Sequence, residues 1–258
     1  MKINKKIEIL NMMLVELRND YNHLGLNVVI VPIEELFAIE DEAAFIHKVK
    51  TAADPEYSPF VYPSFLKHIN VEDINIILEL GAKDGMYTNR INEVYKPKFI
   101  YSIDANPESA QEIKKNQKKL DNVEHTAMAL GPTRGNVPFY IHPNGGSHSF
   151  YKHPEDPTRE IIVPCITLDT FCGIKNIKNI DLICADVEGA EPSIFKDQKI
   201  LETTKYIITE VKFEEHFWGK DYPGIDELTD SLRPYGFHMV EILRQPGVPF
   251  GDSLWVKL

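Results

Sequence analysis

The sequence predicts a doubly wound α/β fold organised on a mostly parallel sheet. Four continuous apolar runs, Ile74 to Leu80, Phe99 to Ile103, Ile180 to Ala185 and Tyr206 to Thr209, have the composition of strands buried on both faces. Each run ends in a polar or glycine-bearing turn, at Gly81, Asp104, Asp186 and Glu210. Helical patterns over Met86 to Val94 and Glu108 to Leu120 follow the first two runs, which is the alternation of a βαβ unit.

The remaining elements follow in chain order. Ile3, Ile7, Leu10, Leu14, Leu17, Tyr21 and Leu24 fall at alternating spacings of 4 and 3, the stripe of an amphipathic helix that Gly25 stops. That stripe could form a homodimer seam, but Ile9, Met12 and Met13 widen the apolar face and favour packing on the helix's own domain. A short strand is expected over Asn27 to Val31 and a helix over Ile33 to Lys50. Pro55, Pro59 and Pro63 then stand among Tyr57, Phe60, Tyr62 and Phe65, giving an irregular aromatic connection that is either part of an acceptor pocket or a hydrophobic lid. A boundary is therefore expected near residue 70, with residues 1–70 a helical extension for acceptor binding or dimerisation and residues 71–258 the sheet domain. Phe237 to Leu243 and Ser253 to Lys257 are expected to close the sheet as an antiparallel pair.

Composition narrows the function. The chain has 258 residues and is 43% hydrophobic, enough for one substantial core. Its 39 acidic against 28 basic residues give a net charge of −11, which disfavours phosphate-driven binding to nucleic acid. Lys114, Lys115, Lys118 and Lys119 are expected to be a solvated helix face. Cys165, Cys172 and Cys184 are odd in number and contain no C-x-x-C pair, so a reducing cytoplasm is expected and a disulfide framework is not. No stretch is long and apolar enough to suggest a membrane span.

The turn after the first strand reads Glu79-Leu80-Gly81-Ala82-Lys83-Asp84-Gly85-Met86-Tyr87-Thr88. Glycines four apart suit a tight turn and close backbone approach to a ligand, and the helix behind it offers free N–H groups. Asp104, at the next strand end, is placed to accept ribose hydroxyls. The dinucleotide fingerprint needs a glycine where Lys83 stands, and Glu79 and Asp84 line the loop with carboxylates that repel pyrophosphate. They suit an amine or a sulfonium, so the turn favours S-adenosylmethionine (SAM) over a nicotinamide cofactor.

Around that turn and beyond it, the sequence resembles the FkbM-type SAM-dependent O-methyltransferases. The resemblance runs from about Ile76 to Ile242 through six ordered motifs: Glu79 to Gly85, Ile103-Asp-Ala-Asn-Pro107, Ala129-Leu-Gly131, Ile166-Thr-Leu-Asp169, Asp181 to Glu191, and Ile207-Ile-Thr-Glu210. It implies a class I, Rossmann-like methyltransferase fold with a mostly parallel seven-stranded sheet, and methyl transfer to a hydroxyl of a sugar, glycan or other small acceptor. Carried over by position, it implies that Glu79, Gly81, Ala82, Lys83, Gly85 and Thr88 form the SAM loop. It also puts Asp104 and Ala105 at the ribose, and Ala127 and Met128 beside the adenine. Asp104-Ala105 replaces the family's usual Glu-Pro and keeps the carboxylate; Cys184 replaces a usual lysine and removes a cation near the reacting strand end.

Transfer to an alcohol needs an aligned acceptor and a base or metal. Asp186 and Glu210, at neighbouring strand ends, are the expected catalytic carboxylates, and together they could hold Mg²⁺ or another divalent cation. Asp186 is also expected to touch SAM. Glu188 is a further candidate, whereas Glu191 suits a capping role in a first helical turn. Among the histidines, His148 in the Asn144 to Ser149 loop is the best base candidate, against a plain solvated loop residue. Phe217 and Trp218, beside His216, either stack on a sugar or cover the core edge. Thr167 to Thr170 is expected to cap a helix. Two other functions compete with the enzyme: a non-catalytic SAM-binding interaction protein and a nicotinamide-dependent oxidoreductase.

Overall fold

In the computed structural model, residues 58–143, 145–152, 157–213, 223–244 and 250–258 are described. The expected N-terminal helix and its dimer seam, the strand and helix up to Lys50, and His216, Phe217 and Trp218 lie outside them.

The central sheet comprises β1 (Ile76–Leu80), β2 (Phe99–Asp104), β3 (Val123–Ala127), β7 (Leu182–Ala185), β8 (Tyr206–Lys212), β9 (Phe237–Arg244) and β10 (Phe250–Lys257). Their order in space is β3-β2-β1-β7-β8-β10-β9, and β1 pairs in parallel with both β2 and β7. The seven strands and this mostly parallel order are those of the expected class I architecture. β9 and β10 are neighbours at the sheet edge, as expected of the closing strands, with β10 between β8 and β9 and pairing antiparallel with β8 from Phe250↔Lys212 to Val256↔Tyr206.

Strand alternation assigns each run to two cores. Leu78, Leu80, Ile183, Ala185, Ile207 and Trp255 face one side, where α4 (Leu168–Lys175), α5 (Glu191–Phe195) and α6 (Ile225–Leu232) pack. Ile77, Ile100, Leu182, Cys184, Ile208 and Leu254 face the other, against Ile91 and Tyr95 of α2 (Met86–Tyr95). Burial on both faces explains why these strands are unbroken apolar runs. Phe60 and Phe65 belong to this second core at 2% and 0% exposure, and the Tyr95 hydroxyl donates to the Phe60 carbonyl at 2.6 Å. Of the aromatic connection, Phe60, Val61 and Phe65 therefore pack as core, the last of them from α1 (Pro63–Leu66).

The helix after β2 is shorter than its pattern, α3 (Ala110–Asn116), and the four lysines around it are exposed. A second sheet, missing from the sequence-derived expectation, consists of β4 (Ala129–Leu130), β5 (Gly135–Ile141) and β6 (Arg159–Ile166), with β6 in the middle. From β6 the chain enters α4 through Thr167, whose hydroxyl accepts the Thr170 amide at 3.1 Å, as a cap should. Asp169 instead accepts the amides of Lys199 and Ile200, both at 2.9 Å.

Candidate active site

The strand order reverses between β1 and β7, so a crevice opens at the carboxyl ends of these strands, where ligands of open α/β sheets bind. Gly81 leaves β1 with φ +83° and donates to the Ile103 carbonyl at 2.9 Å. A Cβ built on Gly81 would lie 1.9 Å from the main-chain oxygen of Asp186, so the glycine lets two strand ends touch. Gly85 (φ +79°) likewise backs onto α3, its nearest neighbours being Gln117 and Ile113. Asp84 accepts the Met86 amide at 3.0 Å and so starts α2.

Two expected cofactor residues turn out to face inward. Glu79 shares the Ile77 face of β1, has no exposed surface, and accepts the Thr88 hydroxyl at 2.6 Å. The Gln117 amide in turn donates to the hydroxyls of Thr88 (2.8 Å) and Ser102 (3.0 Å). Glu79 and Thr88 thus form a buried network beneath the loop, because alternation along β1 points position 79 at α2, and the second oxygen of Glu79, Oε1, is buried in it without a hydrogen-bond partner. Burial pushes the Glu79 carboxyl up to about 7, against hydrogen bonds from Thr88 and Ser102 that lower it.

Asp104 ends β2 as expected and is 8% exposed. Its two oxygens each accept a main-chain amide at 2.8 Å, from Lys83 and Asn106, which fixes the loop. Burial raises it to about 6, and those two amides oppose the rise. An ionised carboxylate accepts about four hydrogen bonds, so capacity remains for a diol. Ala127 lies opposite Asp104 in the β2–β3 register, and the Met128 amide donates to the Asp104 carbonyl at 3.0 Å. Ala105 is half-buried beside them, whereas Ala82 is buried in the turn at 2%.

The reacting end gathers more charge than expected. Asp186 directly follows β7, its amide donating to Leu80 at 3.0 Å. Glu210 does not end its strand: β8 runs on to Lys212, because the ladder with β10 continues beyond the apolar run. Asp186, Glu188 and Glu210 offer carboxylate oxygens that all lie within 4.8 Å of one another. Glu188 adopts φ +53°, an unusual conformation for a side-chain-bearing residue, and the Ser149 hydroxyl donates to its carbonyl at 2.7 Å. Lys212, two residues beyond Glu210 on the same face, places Nζ 3.6 Å from Glu188 and 4.0 Å from Glu210. Glu191 accepts the Val187 amide at 3.0 Å, closing the turn.

Burial is the leading influence on every member. It raises Asp186, which Lys83 and Lys212 offset, and raises Glu188 to about 7. It also carries Glu210 well up, with Glu188 and Asp186 adding to the rise, while it lowers Lys212. Tyr87 lies in this field too: burial, Asp186 and Asp252 raise its phenol. Asp252 pairs with Glu210 across the β8–β10 ladder and accepts the Tyr62 hydroxyl at 3.2 Å. One oxygen of Asp186, Oδ1, is buried with no hydrogen-bond partner. Such an atom needs a polar ligand, and SAM, with its cationic amine and sulfonium, fits the carboxylates of this crevice.

The sequence matches the methyltransferase FkbM domain over residues 79–239. The chain belongs to the FkbM methyltransferase family. Its relative the 2-O-methyltransferase NoeI of Sinorhizobium fredii (strain NBRC 101917 / NGR234) is 25% identical over 163 residues, covering 56% of this chain. The chain spans 66% of that relative's length. The FkbM methyltransferase of Methylobacillus flagellatus KT is similar in fold, with a TM-score of 0.51 and 11% identity, covering 87% of this chain and 57% of its own. The expected FkbM family and class I methyltransferase fold thus both hold.

His148, the expected base candidate, sits in the loop after β5. Its Nδ1 accepts the His142 amide at 3.0 Å, which leaves the proton of the neutral ring on Nε2. Burial, with His142 and Lys83 nearby, lowers its pKa, so the ring is a neutral clip within its loop and a donor, not an acceptor, at its free nitrogen. Lys212, Tyr87 and Asp252 are the members of the site that sequence reasoning missed. Lys212 was findable, since alternation places positions 210 and 212 on one face once β8 is extended.

Among the described residues, no helix is long and apolar enough to cross a membrane.

Proposed function

We propose that this FkbM protein is a SAM-dependent O-methyltransferase that methylates a hydroxyl of a sugar, glycan or other small hydroxylated acceptor. The observation that carries this reading is Asp186: a buried carboxylate oxygen without a partner, at the strand end that touches the cofactor loop. The relative named as a 2-O-methyltransferase supports oxygen as the methylated atom.

SAM, when bound, supplies a methyl group that the acceptor oxygen takes up as the carbon–sulfur bond breaks and the electron pair stays on sulfur. Asp104 holds the ribose hydroxyls, with Ala105, Ala127 and Met128 bordering the adenine. Asp186 accepts the proton that the acceptor hydroxyl loses, and its raised pKa brings it towards the range useful to a general base. Glu210 and Glu188 orient the acceptor beside it. A shallow recess lined by Gly189, Glu191, Glu210, Lys212, Gly224 and Leu228 adjoins this cluster. A crevice with this much negative charge disfavours anionic acceptors.

Calorimetric titration with SAM and radiolabelled methyl transfer to a panel of neutral, amino and acidic sugars test the proposal. Tight SAM binding with labelled neutral or amino sugars is expected. Folded protein that binds no SAM would sink it, and so would binding without transfer to any hydroxyl acceptor.

A further inference from the structure

Three carboxylates converging from the end of β7 and from within β8 are what a divalent cation would use, and oxygen donors of this kind suit Mg²⁺ or Mn²⁺. The same cluster, however, already holds a cation. Lys212 is 7% exposed, and its ammonium group lies 3.6 Å from Glu188 and 4.0 Å from Glu210. It is the covalent continuation of β8, so it cannot diffuse away, and the strand's two-residue period holds it beside Glu210. An ion coordinated by Glu188 and Glu210 at the usual ~2.1 Å would lie close to that ammonium and be repelled by it.

We infer that Lys212 is the resident cation of the reacting end, standing where a divalent ion would sit, so that methyl transfer in this chain needs no metal. The lysine supplies the positive charge that lets Asp186, Glu188 and Glu210 crowd together. Lys83 adds to it, since its charge also favours the ionised forms of Asp186 and Glu188. Glu191 adds negative charge near Lys212 but keeps one oxygen on the Val187 amide. The consequence for the acceptor is that a hydroxyl is gripped by hydrogen bonds to fixed side chains, with no need for the paired oxygens that chelate an ion. The inference rests on the proposed function only in taking this cluster as the reacting end.

Its test uses the full chain and Mn²⁺, followed by electron paramagnetic resonance. Wild-type protein is expected to take up no Mn²⁺ at the cluster, and its methyl transfer to be unchanged by EDTA. The variant Lys212→Met keeps the length of the side chain and removes the charge. It is expected to gain one Mn²⁺ site, with affinity up by about tenfold or more over wild type, and to lose it again when Asp186→Asn is added. Lys212→Arg, which keeps the charge, is expected to stay metal-free. Stoichiometric Mn²⁺ on the wild-type protein that Glu210→Gln removes would overturn the inference, as would EDTA inhibition. A folded Lys212→Met protein that binds no Mn²⁺, or binds it regardless of Asp186, would also overturn it. Should Lys212→Met fail to fold, the wild-type titration still decides. Calorimetry with SAM reports separately on the proposed function, so the two failures are distinguishable.

Discussion

The Ser149 hydroxyl donates a 2.7 Å hydrogen bond to the carbonyl of Glu188. This single contact ties the loop after β5 to a turn whose glutamate sits at φ +53°. A non-glycine residue held in the left-handed region costs on the order of 1 kcal/mol, and its neighbours must hold it there. Ser149 is 1% exposed and also accepts the Tyr151 amide at 3.1 Å, so it is itself fixed.

Ser149→Ala should therefore loosen the Glu188 turn without touching the cofactor loop. Turnover is expected to fall by about tenfold, the SAM dissociation constant to stay within about twofold, and stability to drop by about 1 kcal/mol. Steady-state kinetics beside calorimetry and a thermal melt check this. A SAM affinity that falls in step with turnover would assign Ser149 to the cofactor side instead.

Asp104 gives a pH dependence with a defined sign. Its carboxyl is raised to about 6, so between pH 7 and 5 it takes up a proton and ceases to accept two ribose hydroxyls. SAM affinity is expected to fall by about tenfold over that interval. Asp104→Asn should weaken binding at pH 7 by about 10- to 100-fold and flatten the profile that remains. Titrations at the two pH values with both proteins decide the matter, and equal slopes would place the titrating group elsewhere.

The two glycine-turn readings differ in a measurable way. Gly81→Ala forces a Cβ to within 1.9 Å of the Asp186 oxygen at φ +83°, so both strand ends must move. A loss of about 3 kcal/mol and abolished SAM binding are expected. Gly173→Ala, with open space around it inside α4, should be neutral or raise stability by up to about 1 kcal/mol. Equal melts for the two variants would contradict the close approach of β1 and β7.

What the sequence made legible follows from burial. Runs such as Ile76-Ile-Leu-Glu-Leu80 and Asp181-Leu-Ile-Cys-Ala185 are apolar because both faces are covered, so their strands and the turn residues after them can be placed. Apolar patterning ends β8 at Thr209 because polarity returns at Glu210. What extends it is the hydrogen-bonded ladder to β10, which apolar patterning does not record. The sheet of β4, β5 and β6 stayed hidden for a related reason: Pro138 and Pro164 interrupt its strands, and Ile162 lies 62% exposed, so neither composition nor alternation marks them. Within the site, Asp104 and Asp186 lie where a strand end puts them. For Glu79 the glycine turn points to a ligand residue, while parity along β1 turns its side chain inward to Thr88.

That parity has an energetic consequence. The Glu79 carboxyl sits near 4.5 in the unfolded chain and is raised to about 7 in the fold. A proton is therefore held more tightly by the folded protein between those two values. Its contribution is fully present below about pH 4.5 and is lost as pH rises to about 7, a change on the order of 3 kcal/mol. Glu79→Gln keeps an oxygen for the Thr88 hydroxyl and removes the titration, so its stability should vary less between pH 5 and 7.5 than that of the wild type. Asp104, Glu188 and Glu191 titrate in both proteins, and the difference between the two urea-melt profiles isolates Glu79. Parallel profiles would mean that Glu79 does not change its charge across this range in the fold, and the inward-facing network would then have to hold an ionised carboxylate.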